Sequence, residues 1–431
     1  MELKARITAM LNDFRERGLL YQTTEGDSKD GSALVDLLAR EPRIYIGFDP
    51  TADSLHVGSL VPLLALRRFK EAGLEPIVLL GGATALIGDP SFKAEERKLM
   101  GRDQVIANVE GIRKQMSRIL QDESIRFVDN YEWISGINVV EFLRDYGKHF
   151  SVNEMMNKES VKTRLDREGV GISFTEFSYM ILQSLDFHHL ANKYACFAQA
   201  GGSDQWGNIM GGIELIRRKM GKEAHAMTFP LLTTSEGKKF GKTESGNVWL
   251  DAARTSPYAF YQFWVNSPDQ DVSKLLRFLT FLPMEEIHRL ENAQKEHPES
   301  REAQRSLAKE MTVLVHGQEG LEKVEKVSGA LFGEGSLEGL DSSTLQQALD
   351  SLPKSEVEKG AVLPALPDLL VLVGLETSKS AARKTIESGG IYVDHVRQKD
   401  PKWVPSWSDL EKGFVLLRKG KKNYGVLKEK K

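Results

Sequence analysis

A chain of 431 residues with 41% hydrophobic and 28% charged side chains is long enough for two or three domains with buried cores. Its net charge of -3 argues against a protein that coats nucleic acid along its whole length, and its 15 prolines argue against a collagen-like or largely disordered chain. A single cysteine, Cys196, can build neither an intrachain disulfide nor a thiolate metal cluster, which fits a reducing, cytoplasmic setting. Residues 1–6 are too charged for a secretory leader. Uncharged residues 76–88 and 255–268 fall short of the about 20 apolar positions that a membrane helix needs.

In chain order, residues 44–48 predict a short buried strand, residues 60–69 a helix that Gly73 ends, and residues 77–80 a second buried strand. Strand, helix and strand in this order form the βαβ pattern of a parallel sheet, whose ligands sit beyond the carboxyl ends of the strands. Polar and glycine-rich residues stand at those ends, at 49–59 after the first strand and at 81–84 and 88–91 after the second. Ser54 is a candidate N-cap that would set His56 and Gly58 near a helix start, where unpaired N–H groups favour phosphate. Read alone, His56 is more readily an ordinary surface histidine near a cap.

Residues 174–194 predict a helix in which Tyr179, Gln183 and Asp186 recur at steps of four and three and so share one face. That face is either a solvated polar stripe or a buried set of groups that need a polar ligand. A glycine-rich turn follows at 199–208, where Asp204 can accept hydrogen bonds from ribose hydroxyls. Residues 237–244 gather Lys238, Lys239 and Lys242 around Gly241. Three residues between Gly237 and Gly241, where a P-loop has four, rule out that motif. A solvated basic turn and a mobile loop over a polyphosphate both remain open.

Residues 258–318 have helical periodicity, and residues 328–367 are linker-like, rich in glycine, serine and short acidic runs. Residues 361–431 hold 14 Lys and Arg against 8 Asp and Glu, a net +6, and the rest of the chain holds 44 against 53, a net -9. The predicted divisions are a parallel-sheet domain at 1–257, a helical domain at 258–330, a linker at 331–362 and a basic domain at 363–431 suited to RNA.

Taken together, the motif at 45–52 (YIGFDPTA), the HVGS variant of the class I signature at 56–59, residues 81–84 with 88–90, residues 174–179, residues 201–208 and the KFGKT motif at 239–243 resemble the bacterial-type tyrosyl-tRNA synthetases, a class I aminoacyl-tRNA synthetase family. The resemblance runs from about residue 43 to about residue 422, and its last part is similar to an S4-type RNA-binding module. It implies an α/β chain: a Rossmann-like parallel-sheet catalytic domain at 1–257 that includes a dimerisation insertion, then an all-helical domain that meets the anticodon region, then a small α+β S4-like RNA-binding domain. It also implies a tyrosine–tRNA ligase that uses ATP with Mg²⁺ held through the ATP phosphates, with no metal site of its own, and that works as a homodimer on tRNA(Tyr).

Residue by residue, the resemblance places Tyr45 and Asp186 at the substrate's phenolic hydroxyl. Asp89, Tyr179 and Gln183 would meet its α-amino group, and Gln205 would lie near its carboxyl. Gly47, Asp49, Thr51, His56, Gly58, Gly202, Asp204 and Lys242 would bind ATP. Thr51, His56, Ser59, Lys93, Arg97, Lys239, Lys242 and Thr243 would carry the activation step. Ser59 stands where the class signature has its second histidine, beside the ATP ribose. A site that hydrogen-bonds the tyrosine hydroxyl rejects phenylalanine without editing, as this same family illustrates. No editing-sized insertion is visible. Two competitors remain, a tryptophan-activating relative and a non-catalytic RNA-binding paralogue.

Overall fold

The computed structural model describes residues 2–24, 31–89, 99–158, 161–162, 165, 171–238, 240–243, 246–332, 340–350, 352–410, 413–420 and 423–430. These fall into two compact units, one of residues 1–254 with 266–307 and one of residues 255–265 with 308–431.

The first unit is built on a six-stranded sheet of β1 (Gln22–Thr23), β2 (Arg43–Phe48), β3 (Glu75–Leu80), β4 (Arg126–Asp129), β5 (Ala198–Gly202) and β6 (His225–Phe229) in the order β1-β6-β5-β2-β3-β4, and it also carries the short antiparallel pair β7 (Lys242–Thr243) and β8 (Gly246–Asn247). Within the six-stranded sheet all neighbours run parallel except β1, which pairs antiparallel with β6 at one edge. The predicted βαβ unit is present: helix Leu60–Glu71 joins β2 to β3, and β3 buries five of its six residues because helices cover both faces of a parallel sheet. From β2 the chain runs outward through β3 and β4, then returns to place β5 on the other side of β2. The order reverses there, and crevices at such switch points bind ligands.

The helical segment divides between the units. Helices Asp269–Leu279 and Met284–Glu296 belong with the sheet unit. Two buried arginines hold the end of the first: Arg17 donates to the carbonyls of Arg277, Thr280 and Leu282, and Arg68 to that of Thr280 at 2.7 Å. Guanidinium charge is favourable at a helix C-terminus, where carbonyls lack helical partners. Helix Pro257–Val265 and residues beyond 307 belong to the second unit. The helical stretch Glu302–Phe332 breaks at Gly317, whose backbone is non-helical.

The second unit also carries β9 (Lys354–Val357), β10 (Ile391–Val393), β11 (Val396–Gln398), β12 (Phe414–Lys419) and β13 (Asn423–Glu429), in the order β11-β10-β12-β13-β9. Leu366, Leu369, Leu370, Ala382 and Ile386 from helices Leu366–Leu372 and Lys379–Glu387 pack against Ile391, Val415, Leu417 and Leu427 to form its core. The residues expected to be linker are partly ordered here. Helix Ser342–Asp350 lies within them, and β9 pairs parallel with β13 at the sheet edge. Composition hid both, because β9 has the alternating half-exposed pattern of an edge strand and no apolar run.

Candidate active site

The carboxyl ends of β2, β3 and β5 and one face of helix Phe174–Tyr194 surround a cavity of about 220 Å³. Ten residues singled out from the sequence line it: Tyr45, Gly47, Asp49, Thr51, Asp89, Tyr179, Gln183, Asp186, Gly202 and Gln205. The polar stripe of the helix is thus buried against the sheet and faces the cavity, which settles the choice left open by periodicity.

At one end of the cavity Asp186 is 2% exposed. Asn130 donates to its Oδ2 and Trp133 Nε1 to its Oδ1, each at 2.9 Å. Burial, with smaller contributions from the charges of Asp49 and Asp129, pushes the Asp186 carboxyl up to about 8 even though these two bonds pull it down. Tyr45, 1% exposed, packs its ring edge-on against Phe187 at 5.2 Å and has a buried hydroxyl with no hydrogen-bond partner among the described residues. Burial and the neighbouring Asp186 charge hold that phenol well above its usual range, so it is a donor.

At the other end Tyr179 donates to Asp49 Oδ2 at 2.8 Å, while Thr84 donates to Asp49 Oδ1 at 2.7 Å. Gln205 Nε2 donates to Asp89 at 2.8 Å, and Asn208 donates to Gln183 Oε1 at 3.1 Å. Three carboxylates, Asp49, Asp89 and Asp186, therefore line one small cavity. Such a wall suits a ligand that carries both a cation and a hydroxyl. The cavity lies below the roughly 300–1,000 Å³ of a drug-sized pocket, which suits an amino acid better than a whole nucleotide. Gly81, after β3, allows Asp49 and Thr84 to approach, since a Cβ there would fall on the Asp49 carboxylate and the Thr84 hydroxyl.

His56, Gly58 and Ser59 are outside the cavity lining, at the start of the helix whose Pro62 lines it. The expected Ser54 cap is not made, because Ser54 Oγ accepts from Gln115 and donates to the Leu55 carbonyl. The cap is His56: its Nδ1 accepts from the Gly58 N–H at 3.0 Å at the start of the 3-10 turn Val57–Ser59, so the ring proton sits on Nε2. That turn leads straight into helix Leu60–Glu71, as a phosphate-side helix start requires. Against it lies the lysine motif. The Val57 and Val248 backbones bond at 3.0 Å, Val248 N–H donates to the Gly241 carbonyl at 2.9 Å, and a Cβ on Gly241 would fall on Val57. Gly241 also has a φ of +81°, a second reason for glycine there.

Lys242 and Thr243 pair with Gly246–Asn247 as a short two-stranded ribbon, and their side chains lie outside the description. Lys93, Arg97 and Lys239 fall outside the described residues. Asp204 is in the turn after β5, outside the cavity lining.

Sequence reasoning missed Asn130 and Trp133, and it reached Thr84 and Gln199 only as members of glycine-rich segments, without a role for either. The signal for Asn130 was available, as it directly follows a strand of the parallel sheet, but β4 is only four residues long with one fully buried, too short to show a period.

A parallel sheet with an amino-acid-sized polar cavity at its switch point, and a histidine-capped turn meeting a lysine motif beside it, has the architecture of a class I synthetase. Residues 38–333 match the family of tRNA synthetases class I (W and Y), and residues 344–427 match the tyrosine–tRNA ligase SYY-like C-terminal domain. The chain is 47% identical over 428 residues to the tyrosine–tRNA ligase of Staphylococcus saprophyticus, covering 98% of this chain and 99% of that protein. It is 49% identical to that of Escherichia coli O1:K1 / APEC, with 99% of each chain covered. The crystal structure of a C-terminally truncated Aspergillus nidulans mitochondrial tyrosyl-tRNA synthetase superposes with a TM-score of 0.64 at 31% identity, covering 73% of this chain and 92% of that one. The chain belongs to the class I tRNA synthetases of the tryptophan and tyrosine family.

Proposed function

We propose that this protein activates L-tyrosine with ATP, giving tyrosyl-adenylate and pyrophosphate, and then passes tyrosine to the 3'-terminal adenosine of tRNA(Tyr). The observation that carries this reading is the pairing of the buried Asp186 carboxyl with the unpartnered buried hydroxyl of Tyr45 at the same cavity. A phenolic hydroxyl accepts from Tyr45 and donates to Asp186 at once. An indole N–H only donates and would leave the Tyr45 proton unpaired, and a phenyl ring offers neither bond, so tryptophan and phenylalanine fit worse. Asp89, Tyr179 and Gln183 would hold the α-ammonium, with Gln205 beside the carboxylate.

The tyrosine carboxylate attacks the α-phosphorus of ATP, forming the new P–O bond as the bond to pyrophosphate breaks. No protein nucleophile or base is needed, so catalysis rests on placement and on meeting the charge that develops. His56 Nε2–H and Thr51 would reach the phosphates from the Val57–Ser59 side. The lysine motif, with Lys93 and Arg97, would gather around the departing pyrophosphate. Mg²⁺ carried on the ATP phosphates would neutralise phosphate charge, because magnesium keeps waters and substrate oxygens among its ligands.

Exposed apolar side chains at Val139, Val140, Leu143, Val152, Met156 and Phe174 support a homodimer through the part of the catalytic domain that carries them. The helical residues 258–330 and the basic residues 363–431 would meet the tRNA. Among the described residues no helix is long and apolar enough to cross a membrane, and the reaction as proposed is a cytoplasmic one. Amino-acid-dependent ATP–pyrophosphate exchange tests the reading: tyrosine drives exchange if it holds. Exchange driven by tryptophan instead, or none at all with tRNA binding retained, would replace it with one of the two competitors.

A further inference from the structure

The segment that leads into the lysine motif is pinned by a helix that carries no part of the cavity. In the first turn of helix Asp269–Leu279, Asp271 is 3% exposed, and its Oδ1 accepts from the Ser235 backbone N–H at 2.8 Å. One turn on, Lys274 Nζ donates to the Thr233 carbonyl at 3.3 Å and reaches its hydroxyl at 3.5 Å. Asp271 and Lys274 thus hold two residues, Thr233 and Ser235, from one helix face.

Those residues open a tight hairpin. The Thr234 N–H donates to the Lys238 carbonyl at 2.8 Å, and the Phe240 N–H donates to the Leu232 carbonyl at 3.0 Å. The outgoing arm is fixed independently, by the buried Phe240 ring and by Gly241 against Val57. Lys238 is carried on this hairpin and the backbone of Lys242 follows just beyond it; the hairpin's incoming arm is set by Asp271 and its outgoing arm by the Val57–Ser59 turn. The helix itself is rigidly placed. Arg277 and Ser273 bind Glu291 on the next helix, and Arg68 donates to the Thr280 carbonyl at its far end.

A buried carboxylate costs free energy, and only one of its oxygens is used in this way: Oδ2 of Asp271 has no hydrogen-bond partner among the described residues. The first turn of the helix favours a carboxylate through the helix dipole, but the one hydrogen bond that this carboxylate accepts comes from the loop. Its use is at the loop.

We infer that Asp271 is a positioning residue for the activation step, setting the register of the lysine motif through the Ser235 N–H while touching neither substrate. The inference rests on the proposed reaction. Lysines that meet pyrophosphate act only while that bond breaks, so they contribute to adenylate formation and not to the later transfer of tyrosine to tRNA. Loss of Asp271 therefore slows the first step alone.

The test uses the full-length protein and its Asp271→Ala, Asp271→Asn and Lys274→Met variants. Pyrophosphate exchange is measured beside single-turnover transfer from preformed, isolated enzyme-bound adenylate. In Asp271→Ala, kcat for exchange falls about 10- to 100-fold, the KM for tyrosine stays within about twofold, and the transfer rate is unchanged. Asp271→Asn keeps an Oδ1 acceptor for Ser235 and restores most of the rate, and Lys274→Met shows the same selective loss in smaller degree. Unchanged exchange in Asp271→Ala overturns the inference, and so does a loss shared equally by exchange, transfer and tyrosine KM, which would mark a structural role. The wild-type control keeps the two claims apart, because a wild-type protein without tyrosine-dependent exchange refutes the proposed reaction itself.

Discussion

The indole N–H of Trp133 donates to Oδ1 of Asp186 over 2.9 Å. Asn130 serves the other oxygen at the same distance, so both donors are spent on keeping a buried carboxylate able to accept. Trp133→Phe removes one donor and keeps most of the ring. It should weaken tyrosine binding by about 1–3 kcal/mol, roughly 5- to 150-fold in KM, with the ATP KM unchanged. Exchange kinetics with each substrate varied in turn check this.

The same carboxyl makes tyrosine binding depend on pH. Burial raises it to about 8 in the ligand-free protein, and a phenol that donates to it favours the ionised form and lowers it again. Binding therefore releases a proton below about pH 8, and affinity rises from pH 6 towards 8. Titration calorimetry in two buffers of different ionisation heat should show this release. For stability the sign is opposite: a folded-state value above the unfolded one means that the contribution is full below about pH 4 and is lost as pH rises towards 8.

Gly81→Ala should be costly in both stability and binding. Its new methyl falls on the Asp49 carboxylate and the Thr84 hydroxyl, and the strand before it cannot retreat from a sheet paired on both sides. Overpacking of this kind costs about 1–3 kcal/mol, readable in chemical denaturation, and the tyrosine KM rises with it.

A chain ending at residue 341 should retain pyrophosphate exchange while charging tRNA poorly. Cutting at 362, which composition alone suggests, leaves β9 without the β13 that it pairs with. The shorter chain avoids that stranded edge. Exchange and aminoacylation measured on the same preparation check the separation, and loss of exchange with retained secondary structure would contradict it.

Much of this was legible because the site lies where a parallel sheet must put it. Residues 44–48 and 77–80 are apolar runs bounded by glycine and aspartate, so the strand ends and their polar followers could be read directly. Tyr179, Gln183 and Asp186 were readable as a face, although only packing could say which way it pointed. Three things were hidden for physical reasons. Asn130 and Trp133 act through Asp186 across 56 and 53 residues of sequence, which no local pattern records. The His56 cap depends on Ser54 being drawn to Gln115, a tertiary bond. The split of the helical segment depends on Arg17 and Arg68 reaching carbonyls more than 200 residues away.

The central claim is that Asp186 and Tyr45 read the substrate's hydroxyl, and the most direct measurement is kcat/KM for exchange with tyrosine and with phenylalanine in wild type and in Asp186→Ala. The account predicts strong preference for tyrosine in the wild type. In the variant, the tyrosine value should fall by about 100-fold or more while the phenylalanine value and the ATP KM barely change. An equal fall for both amino acids, or an ATP KM that rises as much, would contradict it.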